Sequence, residues 1–181
     1  MRNLPHAHPH GHVGSHADTS TALPWLAVGA LVAACADAAF AFVAYVLIDG
    51  RYNFETLLQY IASGLAGQRA FATGSAGIGY AALGFAIHLV LAVAFTGLYW
   101  LTVAPRVRSA GSVVVAGLAY GAAIWVFMNA VVLPIGRSTQ ESFANGWWFA
   151  FLVDHALFVG LPIAIALAPA QVRTQILRRA Q

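Results

Sequence analysis

Four long hydrophobic runs, separated by short polar stretches, are the main feature of the sequence. They cover residues 23–48, 76–103, 110–135 and 146–168. Each run is long enough to cross a lipid bilayer as a helix, which takes about 20 apolar residues. Pro105 follows the second run and Pro169 the fourth, and proline ends helices because it lacks a backbone N–H. The pattern therefore predicts an all-α, polytopic membrane protein with four transmembrane helices in a bundle.

The segment between the first two runs has a periodic pattern. Its bulky apolar residues recur at helical spacing, namely at Phe54, Leu57, Leu58, Ile61 and Leu65. Polar side chains occupy positions off this stripe, and Asn53 precedes the segment as a predicted N-cap. The segment is too polar to span a membrane. We therefore predict one amphipathic helix over residues 54–68 that lies flat in the membrane interface.

The composition is that of a protein whose main partner is the lipid bilayer. Hydrophobic residues make up 60% and charged residues 8% of the 181 residues, whereas soluble domains carry roughly 25% charged residues. So few charges cannot cover a soluble surface. The net charge of +3 comes from arginines at the ends and in the loops, which indicates membrane topology and no nucleic-acid partner.

The arginines also predict the orientation of the chain. One side of the membrane would carry Arg2, Arg106, Arg108, Arg173, Arg178 and Arg179. The other side would carry Arg51, Arg69 and Arg137. Since cytoplasmic loops are enriched in basic residues, we expect both termini in the cytoplasm. Residues 169–181 then form a basic cytoplasmic C-terminal tail.

Residues 1–22 are rich in glycine, serine and histidine, and we expect a disordered cytoplasmic tail there. The tail contains His6, His8, His10, His12 and His16. Imidazoles at alternate positions of a flexible chain bind divalent ions such as Zn²⁺, Ni²⁺ or Cu²⁺. Two hypotheses remain: the tail collects metal for the membrane domain, or its metal affinity is incidental.

Polar side chains also occur inside the hydrophobic runs. They are Asp37, His88, Asn129, Asp154 and His155. A rise of about 1.5 Å per residue places them in the middle or outer half of the same bundle. Ionisable groups that face lipid are costly, so we expect an intramembrane polar cluster whose members face one another. Neighbouring helical positions diverge by about 100°, which predicts that Asp154 and His155 point in different directions.

Three interpretations of this polar cluster compete. In the first, its members form interhelical hydrogen bonds that only hold the helices together. In the second, the two histidines combine with Asp37 or Asp154 as a proton relay or as a site for a divalent metal ion, since histidine titrates near neutral pH and binds metals. In the third, His88 and His155 are axial ligands of haem b, as in membrane cytochromes.

Prolines and glycines within the runs are expected to shape the helices. Pro134 closes the third run, and Pro162 should kink the fourth because it removes a backbone bond and clashes with the carbonyl of Phe158. Gly117 and Gly121 have the GxxxG spacing that lets a second helix approach closely. We expect this contact within the bundle, with a dimer interface as the alternative.

Four segments carry a family resemblance. They are QYIASGLAGQRAF, HLVLAVAFTGLYW, MNAVVLPIG and DHALFVGLPIAIAL. Over residues 24–168 the chain resembles small uncharacterised bacterial inner-membrane proteins of the YagU-like, domain-of-unknown-function type. The resemblance implies a four-helix protein of the bacterial inner membrane, and such families carry no established activity. The positions that it singles out are His88, Asn129, Pro134, His155 and Pro162.

The sequence leads to one functional hypothesis and two alternatives. The hypothesis is an integral inner-membrane protein of unknown molecular activity whose polar cluster handles protons or metal ions. The alternatives are a haem-binding electron-transfer subunit and a structural accessory subunit of a larger membrane complex; a homo-oligomer also stays open. An enzyme is the less expected class, because no HExxH motif, nucleophile–base pair or paired catalytic carboxylates occur at recognisable spacing.

Overall fold

The computed structural model of the protein describes residues 19–50, 52–137 and 147–179. Within these ranges the chain is largely helical and contains no β-strand, which confirms the predicted all-α class. The histidines of the N-terminal tail, and with them the prediction of metal binding there, lie outside the described residues.

Six helices follow one another along the described ranges. They are α1 (Thr19–Ala41), α2 (Phe54–Ala66), α3 (Gly74–Thr102), α4 (Ala110–Phe127), α5 (Trp147–Asp154) and α6 (Ala170–Arg179). Three of them continue into π-helical segments: α1 into Phe42–Ile48, α4 into Met128–Val132 and α5 into His155–Gly160. After these segments α4 and α5 return to α-helix at Leu133–Ile135 and Leu161–Ala166.

Four of the helices are long and apolar enough to cross a membrane. The spans are Thr21–Ile48, Gly74–Arg106, Ala110–Ile135 and Trp147–Ala166. They contain α1, α3, α4 and α5, in that order, and are called the first to fourth spans below. They coincide with the four predicted runs to within a few residues at each end, so the prediction of a four-span polytopic protein is confirmed.

The spans pack around a common core. The first span packs against the second and the fourth, and the third packs against the fourth. The second and third spans meet through aromatic side chains, since the ring centroids of Tyr99 and Tyr120 are 5.0 Å apart. The Tyr120 hydroxyl donates a hydrogen bond to the carbonyl of Phe95 at 2.7 Å. Tyr99 is buried in this core together with Val113 and Ile163.

Three glycines bring the third and fourth spans into backbone contact. A Cβ built on Gly121 would overlap the carbonyl group of His155, and one built on Gly160 would overlap the backbone of the third span. A Cβ on Gly117 would lie 2.9 Å from the Cβ of Ala164. The GxxxG pair therefore contacts the fourth span of its own chain. This contact places the backbone of His155 directly against α4.

Both prolines in the later spans follow π-helical segments. Pro134 comes two residues after Met128–Val132, and Pro162 comes two residues after His155–Gly160. Proline removes the donor for a carbonyl one turn earlier, and a local π-helical adjustment is one way in which membrane helices accommodate that loss. At the position of the predicted kink, the structure therefore has a change of helix type that begins at His155.

Helix α2 is the predicted amphipathic helix, and its cap is as expected. The backbone N–H of Thr56 donates to Oδ1 of Asn53 at 2.8 Å, which satisfies one free donor of the first turn. The helix ends at Gly67, whose φ of 59° is unfavourable for other residues. A short 3₁₀ turn, Gly67–Phe71, leads from there to α3.

The small and polar face of α2 packs on α3. The buried Gln59 side chain donates from Nε2 to the carbonyls of Ala72 at 3.1 Å and Gly77 at 3.3 Å. A Cβ built on Gly84 of α3 would overlap the carbonyl of Leu58. Leu65 of the apolar stripe, by contrast, is 64% exposed. The structure thus adds a close protein contact that the prediction of a helix lying flat in the interface did not include.

The predicted C-terminal tail forms helix α6. Val172 and Ile176 pack against the core, and the Arg173 guanidinium lies 3.5 Å from the ring centroid of Trp25. Arg173 also donates to the carbonyl of Ala166 at 2.9 Å, at the end of the fourth span. These contacts tie α6 to the ends of the first and fourth spans.

Replacement of Gly121 by alanine tests the glycine contact. The added methyl group would overlap the His155 carbonyl, so the free energy of unfolding should fall by about 1–3 kcal/mol, as at other overpacked sites. Denaturant unfolding in detergent, followed by circular dichroism, measures the loss. Gly97→Ala is the matched control, because no atom lies near its Cβ position, and it should raise stability by at most about 1 kcal/mol. Equal stability of the two variants would contradict the contact.

Candidate functional site

Four ionisable side chains from three spans meet in the bundle, and we call them the Asp/His cluster. They are Asp37 of α1, His88 of α3, and Asp154 and His155 of the fourth span. Asp37 is the central member: its Oδ2 lies 3.8 Å from Nδ1 of His88, and its Oδ1 lies 3.7 Å from Nδ1 of His155. One carboxylate therefore contacts two imidazoles that come from different helices.

Asp154 and His155 contact each other, which the expectation that they point in different directions did not include. Nδ1 of His155 lies 3.1 Å from Oδ2 of Asp154, which is a hydrogen bond. The expectation assumed regular α-helical spacing of about 100° per residue. The fourth span changes to a π-helix at His155, where a turn holds more residues and successive side chains diverge less.

The hydrogen bond of His88 determines which of its ring nitrogens carries the proton. Nε2 lies 3.0 Å from the carbonyl oxygen of Ala34 on α1. A carbonyl can only accept, so Nε2 must be the donor and carry hydrogen. In the neutral ring, Nδ1 then presents a lone pair toward the carboxylate of Asp37. Two electron-rich atoms that face each other in an apolar bundle favour a cation, either a proton or a metal ion, between them.

Asp154 adds an unsatisfied acceptor to the cluster. Its side chain is 0% exposed, and its Oδ1 has no hydrogen-bond partner among the residues that the structure describes. Asp37, Asp154 and His155 each offer one ligand atom, and these atoms lie within 4.8 Å of one another. A buried carboxylate with a free oxygen is costly unless it is neutralised. The cluster therefore suits a bound cation.

Aromatic side chains line one side of the cluster. The Trp125 ring centroid lies 5.3 Å from that of His155, and Phe151 stacks on Trp125 at 6.1 Å. Phe40 of α1 meets the edge of Phe151 at 5.2 Å. These rings exclude water and lower the local dielectric, which strengthens electrostatic interactions inside the site. These aromatic residues are not among those predicted from the sequence, although Phe40 and Phe151 each lie three residues from an aspartate of the cluster on the same helix face.

Asn129, the remaining predicted member, is buried but hydrogen-bonded within its own helix. Its Nδ2 donates to the carbonyl of Trp125 at 2.9 Å, four residues earlier. The side-chain amide of Asn129 thus donates to the backbone of its own helix, at the π-helical segment that follows α4. The contact of Asn129 with the cluster is thus indirect and runs through Trp125.

The geometry gives no support to a haem between the two histidines. Both Nδ1 atoms lie within 3.8 Å of the single carboxylate of Asp37. Nε2 of His88 is engaged by the Ala34 carbonyl, so axial coordination by His88 would use Nδ1 and would place the iron and its macrocycle in the gap beside Asp37. The carboxylate fills it, so the arrangement fits a proton or a small ion.

The fold and the cluster together define a multi-pass helical membrane protein with a partly buried Asp/His cluster. No known protein family, curated protein or solved structure matches the chain. The chemistry of the site must therefore be read from its own geometry.

The variant Asp154→Asn distinguishes a cation site from a cluster whose hydrogen bonds only hold the helices together. Asparagine keeps the shape and the acceptor for His155 but removes a buried charge, so the free energy of unfolding should stay within about 1 kcal/mol of the wild type or rise. Denaturant titration in detergent, with tryptophan fluorescence as the signal, measures it. A loss above about 2 kcal/mol would instead indicate that the charge mainly holds the helices together.

Proposed function

We propose that the protein carries protons within the membrane through the Asp/His cluster. The observation that carries this proposal is the continuous order of its members, Asp154, His155, Asp37 and His88. Consecutive polar atoms in this order are 3.1, 3.7 and 3.8 Å apart. The order leads from the fourth span through the first span to the second.

The chemistry of each member supports a relay. Histidine gains and loses a proton near neutral pH, and carboxylates exchange protons with imidazoles that they contact. Because the Nε2 proton of His88 is held by Ala34, its Nδ1 is the nitrogen available to accept a proton from the direction of Asp37. Aromatic side chains around His155 reduce competition from water.

The distribution of arginines supports the proposed location and orientation. Arg106 and Arg108 join the second and third spans, and Arg173 and Arg178 lie on α6 at the same end of the bundle. At the opposite end, beside α2, Arg137 lies against Gly67 of the turn that also contains Arg69. With the basic end in the cytoplasm, both termini are cytoplasmic and the protein resides in a bacterial inner membrane, as the YagU-like resemblance also implies.

One observation favours a second candidate function. The cluster links three spans, so its hydrogen bonds could serve mainly to hold the bundle together within a larger complex. Among the described residues Oδ1 of Asp154 has no hydrogen-bond partner, which argues against this candidate, because groups that only hold helices together satisfy their buried acceptors.

Proton flux in liposomes tests the proposal. The full-length protein is reconstituted with a trapped pH-sensitive dye, a potassium gradient and valinomycin impose a membrane potential, and the rate of internal pH change is recorded. Asp37→Asn should lower the protein-dependent rate at least about 10-fold, because a carboxamide cannot take up and release the proton. Asp49→Asn, the same change immediately after the end of the same span and outside the cluster, should leave the rate unchanged.

Two results would refute the relay. One is a wild-type rate equal to that of empty liposomes. The other is an equal loss of rate in Asp37→Asn and Asp49→Asn, when both variants elute and melt as the wild type does.

A further inference from the structure

We infer that the Asp/His cluster also binds one divalent transition-metal ion, with His88, His155, Asp37 and Asp154 as its ligands. This inference rests on the proposed function, since the ion would occupy the same lone pairs as the proton. It goes further by naming the class of cation and the coordination number. The site lies within the bundle and is separate from the N-terminal histidines.

The spacing of the ligand atoms fits tetrahedral coordination. Ligand atoms at about 2.1 Å from a tetrahedral ion lie about 3.4 Å from one another. The successive polar atoms of the cluster are 3.1, 3.7 and 3.8 Å apart, on both sides of that value. One ligand atom each from Asp37, Asp154 and His155 lies within 4.8 Å of the others, and Nδ1 of His88 is the fourth, 3.8 Å from the Asp37 carboxylate. Three of the ligands are therefore already grouped, and His88 joins them at Asp37.

Two further observations point to an ion. The first is the Oδ1 of Asp154, which is fully buried and lacks a hydrogen-bond partner among the described residues, and so has lone pairs to offer. The second is the bond from Nε2 of His88 to the Ala34 carbonyl. A histidine that ligates a metal through one nitrogen almost always donates its other N–H in this way, which fixes the ring and raises its basicity.

The donor set indicates the class of ion. Two imidazole nitrogens and two carboxylate oxygens suit Zn²⁺, Mn²⁺ or Fe²⁺. Mg²⁺ and Ca²⁺ prefer six or more oxygen ligands, whereas this site offers two imidazoles and two carboxylates. Four ligands, with apolar side chains beside them, therefore favour a small transition-metal ion.

Cobalt binding provides the test, because tetrahedral Co²⁺ replaces Zn²⁺ and has a strong visible absorption. The five tail histidines are replaced by asparagine in the full-length protein, which removes the competing ligands without shortening the chain. The detergent-purified protein is stripped with a chelator and titrated with Co²⁺ while the spectrum is recorded. We expect about one Co²⁺ per chain with the tetrahedral spectrum, displaced by Zn²⁺ and retained in excess Mg²⁺.

Variants in the same background locate the ion. His88→Gln and Asp154→Asn each remove one ligand and should raise the dissociation constant at least about 100-fold. Asp49→Asn is the matched control and should bind as the parent does. Asp154→Asn keeps the test decisive if His88→Gln does not fold, since it leaves the packing of the site unchanged.

The outcomes separate this inference from the proposed relay. Absence of tetrahedral Co²⁺, or binding that the two cluster variants do not weaken, would overturn the metal site. If proton flux persists in that case, the relay stands without it. Binding of Co²⁺ in a protein that shows no proton flux would support the metal site and overturn the relay.

Discussion

The close contact between the third and fourth spans is the constraint on which the site depends. Gly117, Gly121 and Gly160 let the two backbones touch, and Gly121 lies against the carbonyl of His155. Lipid tails are as apolar as the side chains of a membrane helix, so helices associate through such close packing rather than through the hydrophobic effect. A larger residue at any of these positions would move the fourth span away from α4. Asp154 and His155 would move with it.

A second constraint is the cost of ionisable groups in an apolar bundle. Within the part of the chain that the structure describes, Asp37, Asp154 and the two histidines contact one another, and His88 also bonds to the Ala34 carbonyl. The contact between Asp154 and His155 lies where the fourth span changes to a π-helical turn. Pro162 comes two residues after that turn. The change of helix type and the Asp154–His155 contact therefore occur at the same place in the fourth span.

In a membrane protein, an amphipathic pattern does not by itself show which face of the helix packs against the protein. Helix α2 is an example. Its apolar stripe predicts the helix, yet Leu65 of the stripe is exposed and the polar Gln59 is buried against α3. In water the apolar face of a helix turns toward the protein. Beside lipid, an apolar face can remain exposed while small residues such as Gly84 and Ala62 make the closest protein contacts. Hydrophobic periodicity alone does not distinguish these cases.

The sequence by itself determined the four spans, because membrane length and hydrophobicity are properties of consecutive residues. It also determined the Asn53 cap, and it supplied every member of the Asp/His cluster. Only the tertiary structure decided that Asp37 lies between two histidines, that Asp154 bonds to His155, and that Asn129 bonds within its own helix. These contacts depend on how far each helix is rotated and how closely the backbones approach. Rotation and approach are set by glycine contacts and π-helical turns between distant segments, which no local pattern encodes.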